Sequence, residues 1–110
     1  MTQSELRKEL CELVANLPST QVQNRLMACP DRQLAIALLD MESDRVESII
    51  ARVAESKARR VREELSLAAV RGLDVRDRQR VLNQLVSALR SDRQVEAKRS
   101  YLRPRHRRTD

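Results

Sequence analysis

Residues 34–39 read LAIALL, and this stretch decides the fold. It is the longest apolar run in the chain, and a helix that is apolar on all sides is buried on all sides. Asp31, three residues before the run, is a residue type that often caps a helix. We therefore expect a helix that begins at Asp31, the third in the chain, to form the centre of the domain.

Two helices are predicted before this central one. The first begins at Thr2, where Glu5 completes a capping box, and it ends before Pro18 because the residue preceding a proline avoids the helical conformation. The second is short, is capped by Ser19 or Thr20, and ends before the next proline. The first helix either covers the core or pairs with another chain, and the sequence leaves both alternatives open.

Three further helices are predicted after the central one. Ser43 caps the fourth, the fifth runs from Ser56 to Val70, and Asp74 caps the sixth. Gly72 stands where a left-handed C-cap is expected. The residues predicted to face inward are, on the fifth helix, Ala58, Val61, Leu65, Ala68 and Ala69 and, on the sixth, Val75, Val81, Leu82, Leu85, Val86 and Leu89.

The composition favours the same all-helical class. With 1 Gly and 1% aromatic residues, the chain lacks what hairpin sheets need, and glycine-rich phosphate loops are excluded. The predicted fold is all-α, a compact bundle or short armadillo-like stack of five to six short helices. We expect an N-terminal helix at 1–18, a helical domain at 19–90 and a basic, flexible tail at 91–110.

The net charge of +6 is distributed unevenly along the chain. Residues 91–110 hold seven basic and three acidic residues, whereas residues 1–90 hold fifteen and thirteen. The basic residues of the predicted tail are Lys98, Arg99, Arg103, Arg105, Arg107 and Arg108. Such a tail can bind phosphates in a salt-dependent manner, so a small basic nucleic-acid-binding protein is the alternative function. The tail can equally dock on acidic partners or anionic lipid.

The residues that catalysis or metal binding needs are scarce. Cys11 and Cys29 lie on predicted apolar faces, which is typical of buried free thiols, and the only histidine, His106, is in the tail. The adjacent Glu63 and Glu64 point about 100° apart on a helix, so they do not form an acid/base pair. We expect no enzyme activity, no metal site and no cofactor.

The chain is expected to be cytoplasmic. Its first ten residues, MTQSELRKEL, lack the apolar segment of a signal peptide. Its longest apolar run is far shorter than the ~18 residues that a membrane-spanning helix requires. No membrane span is therefore predicted.

The fifth helix carries the most informative charges. If Val61 and Leu65 face inward, then Ser56, Arg60 and Glu63 face outward. Oppositely charged residues recur four positions apart along it, as at Arg60 and Glu64, and each such pair adds only a few tenths of a kcal/mol. Two interpretations stay open: a solvated amphipathic face, or a ridge of mixed charge that contacts a partner.

The segment QVQNRLMACPDRQLAIALLDMESDRVESIIARVAESKARRVREELSL, residues 21–67, resembles the C-terminal domain of FliG, the flagellar motor switch protein. Gln23, the apolar stretch 34–38, the amphipathic stretch 46–53 and the motif Arg-Glu-Glu-Leu at 62–65 correspond to features of that family. No gap is needed between Gln23 and the end of that motif. The resemblance extends over about residues 20 to 90.

The resemblance implies a non-catalytic interaction module at a flagellar motor or related type III secretion base. Its partner would be the stator cytoplasmic loop or another switch or secretion-base protein, at the cytoplasmic face of a membrane-embedded machine. Asp40 stands where the family has glycine, and the family's phenylalanine-containing hinge is absent. The residues expected to contact the partner are Arg59, Arg60, Arg62, Glu63, Glu64 and Arg71.

Overall fold

A computed structural model describes the backbone of residues 2–108 and the side chains of residues 2–95. Within these residues the chain forms six helices and no strand, which confirms the all-α class. Five helices are short, as predicted, whereas the sixth is long. The bounds are α1 (Gln3–Asn16), α2 (Ser19–Ala28), α3 (Asp31–Leu38), α4 (Ser43–Ile50), α5 (Glu55–Arg71) and α6 (Val75–Arg108).

Two helix starts are capped as predicted. At α1 the Thr2 hydroxyl accepts a hydrogen bond from the backbone N–H of Glu5, whose carboxylate accepts one from the Thr2 backbone in return. At α6 the Asp74 carboxylate accepts a hydrogen bond from the backbone N–H of Arg76 at 3.1 Å. Both caps satisfy backbone donors that have no partner within the helix.

Three other predicted caps are wrong by one position. Ser19, Asp31 and Ser43 are the first residues of their helices, and the residue before each occupies the N-cap without a side-chain hydrogen bond. Pro18 and Pro30 take two of these N-cap positions. Proline fixes φ near −65° and has no N–H to satisfy, so it fits the extended residue that leads into a helix.

The core is a single cluster to which all six helices contribute. α3 packs mainly against α5 and α6, and α1 packs against α6 and α4. The first helix therefore covers the core, which is one of the two arrangements that the sequence left open. Its buried residues are Leu6, Leu10, Leu13 and Val14.

Two residues predicted to face inward are exposed. Ala69 lies on α5 beyond the last buried residue of that helix, Ala68. Val75 is 59% exposed because it begins α6, and the buried residues of α6 start only at Leu82. The periodicity was correct in both helices, but the neighbouring helices do not extend over these ends.

α6 continues past the predicted domain boundary at residue 90 and runs to Arg108. Just past that boundary, Nε and Nη2 of Arg25 on α2 donate to the two carboxylate oxygens of Asp92, at 2.9 and 2.8 Å. The helix is thus docked on α2 at a residue that the sequence assigned to the tail. The predicted basic side chains of the tail, from Lys98 onward, lie outside the described side chains.

Candidate functional site

Five residues form one exposed stripe along α5, which we call the outward face: Ser56, Arg60, Glu63, Leu67 and Val70. They follow one another at intervals of three or four residues, so a 100° helical step places them on one side of the helix. All five are exposed. The predicted contact residues divide into one that is half-buried, Glu64, and five that are exposed, Arg59, Arg60, Arg62, Glu63 and Arg71.

Two of the predicted contact arginines hold α5 against other elements. Nε of Arg60 donates to Oδ2 of Asp31 at 2.8 Å, so this arginine pairs across helices rather than with Glu64 on its own helix. Nη2 of Arg62 donates to Oε1 of Glu47 on α4 at 2.8 Å, and this contact lowers the pKa of the Glu47 carboxyl. These arginines therefore position the helix, and their exposed sides remain accessible.

Lys57 anchors the beginning of α5, a role that was not predicted from the sequence. Only 4% of this residue is exposed, and its Nζ donates to the backbone oxygen of Cys29 at 2.6 Å and to Oδ1 of Asp31 at 2.7 Å. Hydrogen bonds from Lys57 and then Arg60 lower the pKa of Asp31, whereas burial raises the pKa of the Cys29 thiol. The sequence signal that could have indicated the burial of Lys57 was its spacing, since Lys57 lies four residues before the buried Val61.

Four of the six predicted contact residues on α5 have no bound partner among the described side chains. Among the described side chains, no hydrogen bond or ion pair is formed by Arg59, Glu63, Glu64 or Arg71. A partner can therefore contact these charges without first breaking an internal pair. These four charges are therefore available for electrostatic contact with a partner.

Two apolar residues continue the outward face toward the end of α5. Leu67 is 46% exposed and Val70 is 85% exposed. The outward face is thus charged in its first half and apolar in its second. Neither residue was predicted to belong to the site, although Leu67 lies four positions after Glu63 and Val70 lies seven, which is the spacing of one helical face.

The remaining surface offers shallow grooves. One of about 360 Å³ lies beside α5, between Leu39, Met41 and Leu65. Within the described part of the chain, no group of three or more His, Cys, Asp or Glu side chains is arranged to hold a metal ion. No helix of that part is long and apolar enough to cross a membrane. The outward face of α5 therefore remains the strongest candidate site.

No protein-family model, curated protein or solved structure matches this chain. The fold and the site thus define a class, an all-α domain that presents one anchored helix with an exposed face of mixed charge and apolar residues. The similarity to the FliG C-terminal domain rests on the residues quoted above.

Proposed function

We propose that this chain is a non-catalytic protein-interaction module that acts in the cytoplasm at a flagellar motor or related type III secretion base. It binds its protein partner through the outward face of α5 and the charges beside it. The observation that carries the proposal is the state of Glu63 and Glu64: both lie on an anchored helix, and neither is paired with a described side chain.

The backbone at Asp40 supports the resemblance on which the location rests. Its φ of 68° lies in the left-handed region, which glycine adopts without the steric cost that a Cβ imposes. This is the position at which the FliG family has glycine. Asp40 therefore adopts a backbone conformation that suits glycine, the residue type that the family has at this position.

The contact would work through a rigid, charged helix. Lys57 and Arg60 join α5 to Asp31 at the start of α3, and Arg62 joins it to α4. Because these bonds fix the helix before a partner arrives, binding does not require α5 to be ordered. Complementary charges then favour rapid, reversible and salt-sensitive encounters, as expected for a contact made repeatedly with a stator cytoplasmic loop.

The test is binding of the full chain to the stator cytoplasmic loop and to purified switch proteins. The double variant Glu63→Lys, Glu64→Lys should weaken binding about tenfold or more at low salt, since two attractive contacts become repulsive. The matched control is Glu12→Lys, Glu42→Lys, which makes the same change in net charge at exposed positions on other elements. It should bind like the parent chain.

Circular dichroism should show the same helicity for all three proteins, because the substituted side chains are not buried in the core. If binding of the Glu63, Glu64 variant is unchanged at several salt concentrations, α5 is not the contact surface. If the control variant weakens binding equally, only net charge is being sensed, and the specific surface is likewise refuted.

A further inference from the structure

The second half of the outward face combines exposed apolar residues with two opposite charges on one edge, a combination that contact with a different protein does not require. Leu67 and Val70 form its exposed apolar part, and Glu64 and Arg71 lie along one edge of it. Glu64 and Arg71 are seven residues apart, so they lie on the same edge of the helix, like successive e positions of a heptad repeat. Leu67 stands midway between them.

This arrangement is complementary to itself when the helix direction is reversed. A two-fold axis perpendicular to two antiparallel helices brings the same edge of both copies together, in opposite order. Centred beside Leu67, such a pair places Glu64 of each copy opposite Arg71 of the other, and it does so twice because the interface is isologous. A parallel pair would instead align Glu63 with Glu63 in the middle of the contact.

We propose that a second copy of this chain docks on the first through antiparallel pairing of the two α5 helices, with Leu67 and Val70 in the centre and Glu64 opposite Arg71 at both ends. In the described part of the chain, neither Glu64 nor Arg71 already has an ion-pair partner. Val70, at 85% exposed, is the residue that gains most burial.

The proposed α5–α5 dimer is expected to be weak. Stable complexes bury ~1,200–2,000 Å² in total, whereas only two large apolar residues per copy lie at the centre of this contact. Association should therefore depend on protein concentration and decrease with added salt, because exposed ion pairs are screened. The proposed dimer uses the same surface as the proposed partner site, so dimerisation and partner binding compete. Dimerisation needs no other protein, and it is therefore tested on the chain alone.

The experiment is sedimentation equilibrium of the full chain from about 10 μM to about 1 mM, the range in which a weak pair forms. The parent chain should shift from monomer toward dimer mass as concentration rises. Leu67→Glu should remain monomeric, since it places two carboxylates against each other. Glu64→Arg and Arg71→Glu should each raise the dissociation constant about tenfold, because each single change makes both end pairs repulsive.

A mixture of the two charge variants provides the decisive measurement. An equimolar mixture of Glu64→Arg and Arg71→Glu restores opposite charges at both ends, so it should associate as the parent does, although each variant alone does not. Glu12→Arg, with the same charge change on α1, is the control and should dimerise normally. Circular dichroism confirms that each variant is folded.

Three results would overturn the proposal. The parent chain could remain monomeric throughout the concentration range, or it could dimerise while both charge variants dimerise equally well. The mixture could also fail to associate when the parent does, which would reject the antiparallel register. Because no stator or switch protein is present, these outcomes leave the proposed function to be judged by its own binding test.

Discussion

At Asp40 the backbone conformation and the side chain favour different residue types. Within the described chain, Asp40 is the one non-glycine residue with a positive φ, which is 68°. This conformation carries a steric cost for any residue with a Cβ. Its carboxylate, however, accepts a hydrogen bond from Arg78 on α6. The ion pair thus ties the α3–α4 turn to α6 while the backbone would favour glycine.

Comparing two variants separates these effects. Asp40→Gly and Asp40→Ala both remove the carboxylate, and only glycine relieves the left-handed backbone. The glycine variant should therefore be more stable than the alanine variant by about 1 kcal/mol. Urea unfolding of both proteins measures the difference, and equal stabilities would show that the turn adopts another conformation.

Asp31 links charge state to stability through its two cationic neighbours. Hydrogen bonds from Lys57 and Arg60 hold the folded-state pKa of Asp31 below its ordinary value of 3.8. A group with a depressed folded-state pKa adds stability above its unfolded pKa, and that stability is lost as pH falls through the folded pKa. The Asp31 contribution should therefore be complete near neutral pH and decline below about pH 3.8.

The expected result is a stability difference between the parent chain and Asp31→Asn that narrows as the solution is acidified. The parent should be more stable at pH 6, since the asparagine variant leaves the buried Lys57 ammonium without its counter-charge. Urea unfolding from pH 6 down to the lowest pH at which the chain folds measures the difference. Glu12→Gln is the control, and a constant gap for Asp31→Asn would contradict the linkage.

At the scale of the helix, periodicity and proline positions predicted which segments are helical, but the first residue depended on local geometry. Thr2 and Glu5 form a capping box that the sequence spells out. Ser19 and Asp31 look like equally good caps, yet each follows a proline that takes the N-cap position itself. Ser43 is displaced in the same way by Glu42, so a cap-forming side chain alone does not locate the first residue of a helix.

The role of each residue on α5 was harder to predict than its place on the helix. Lys57 lies on the buried stripe, but its burial depends on Cys29 and Asp31, which reach it only through the fold. Ala69 lies near the same stripe and is exposed, because what covers a helix face is a neighbouring element. Ser56, Arg60 and Glu63 are exposed as predicted, whereas the ion-pair partners of Arg60 and Arg62 on other helices were not predictable from spacing.

α1 gives an element-level prediction, because its apolar residues belong to the common core. Leu10→Ala should destabilise the chain by about 2–5 kcal/mol, since Leu10 is fully buried and the change leaves a cavity. Glu12→Ala, on the exposed side of the same helix, should stay within about 0.5 kcal/mol of the parent. Thermal or urea unfolding compares them, and equal effects would mean that α1 does not cover the core.

Over the whole molecule, a polar contact joins α6 to α2 beyond the last buried apolar residue that the structure describes. Among the described side chains, the last buried apolar residue of the cluster is Leu89, one position before the predicted boundary at residue 90. The bidentate pair of Arg25 and Asp92 nevertheless joins α6 to α2 beyond that point. Apolar patterning detects where the core ends, whereas a polar contact between distant residues leaves no periodic signal.

Truncation can separate the folded domain from the basic tail and decide between the two functions. Deleting residues 98–110 should leave the unfolding midpoint unchanged, since the core and the Arg25–Asp92 pair both precede the cut. Deleting residues 92–110 should cost about 1 kcal/mol more, because it removes one partner of that pair. Urea unfolding of the two truncated chains and the parent measures both effects.

The same 98–110 deletion tests where a partner binds. If α5 is the contact surface, the truncated chain should retain its affinity for the stator loop or switch protein. Its salt-dependent binding to duplex DNA should fall toward zero, because the deletion removes six basic residues and one acidic residue. Loss of all protein binding on deletion would instead favour the nucleic-acid or acidic-partner function of the tail. The Glu63→Lys, Glu64→Lys variant should give the opposite pattern, retaining DNA binding and losing the protein partner.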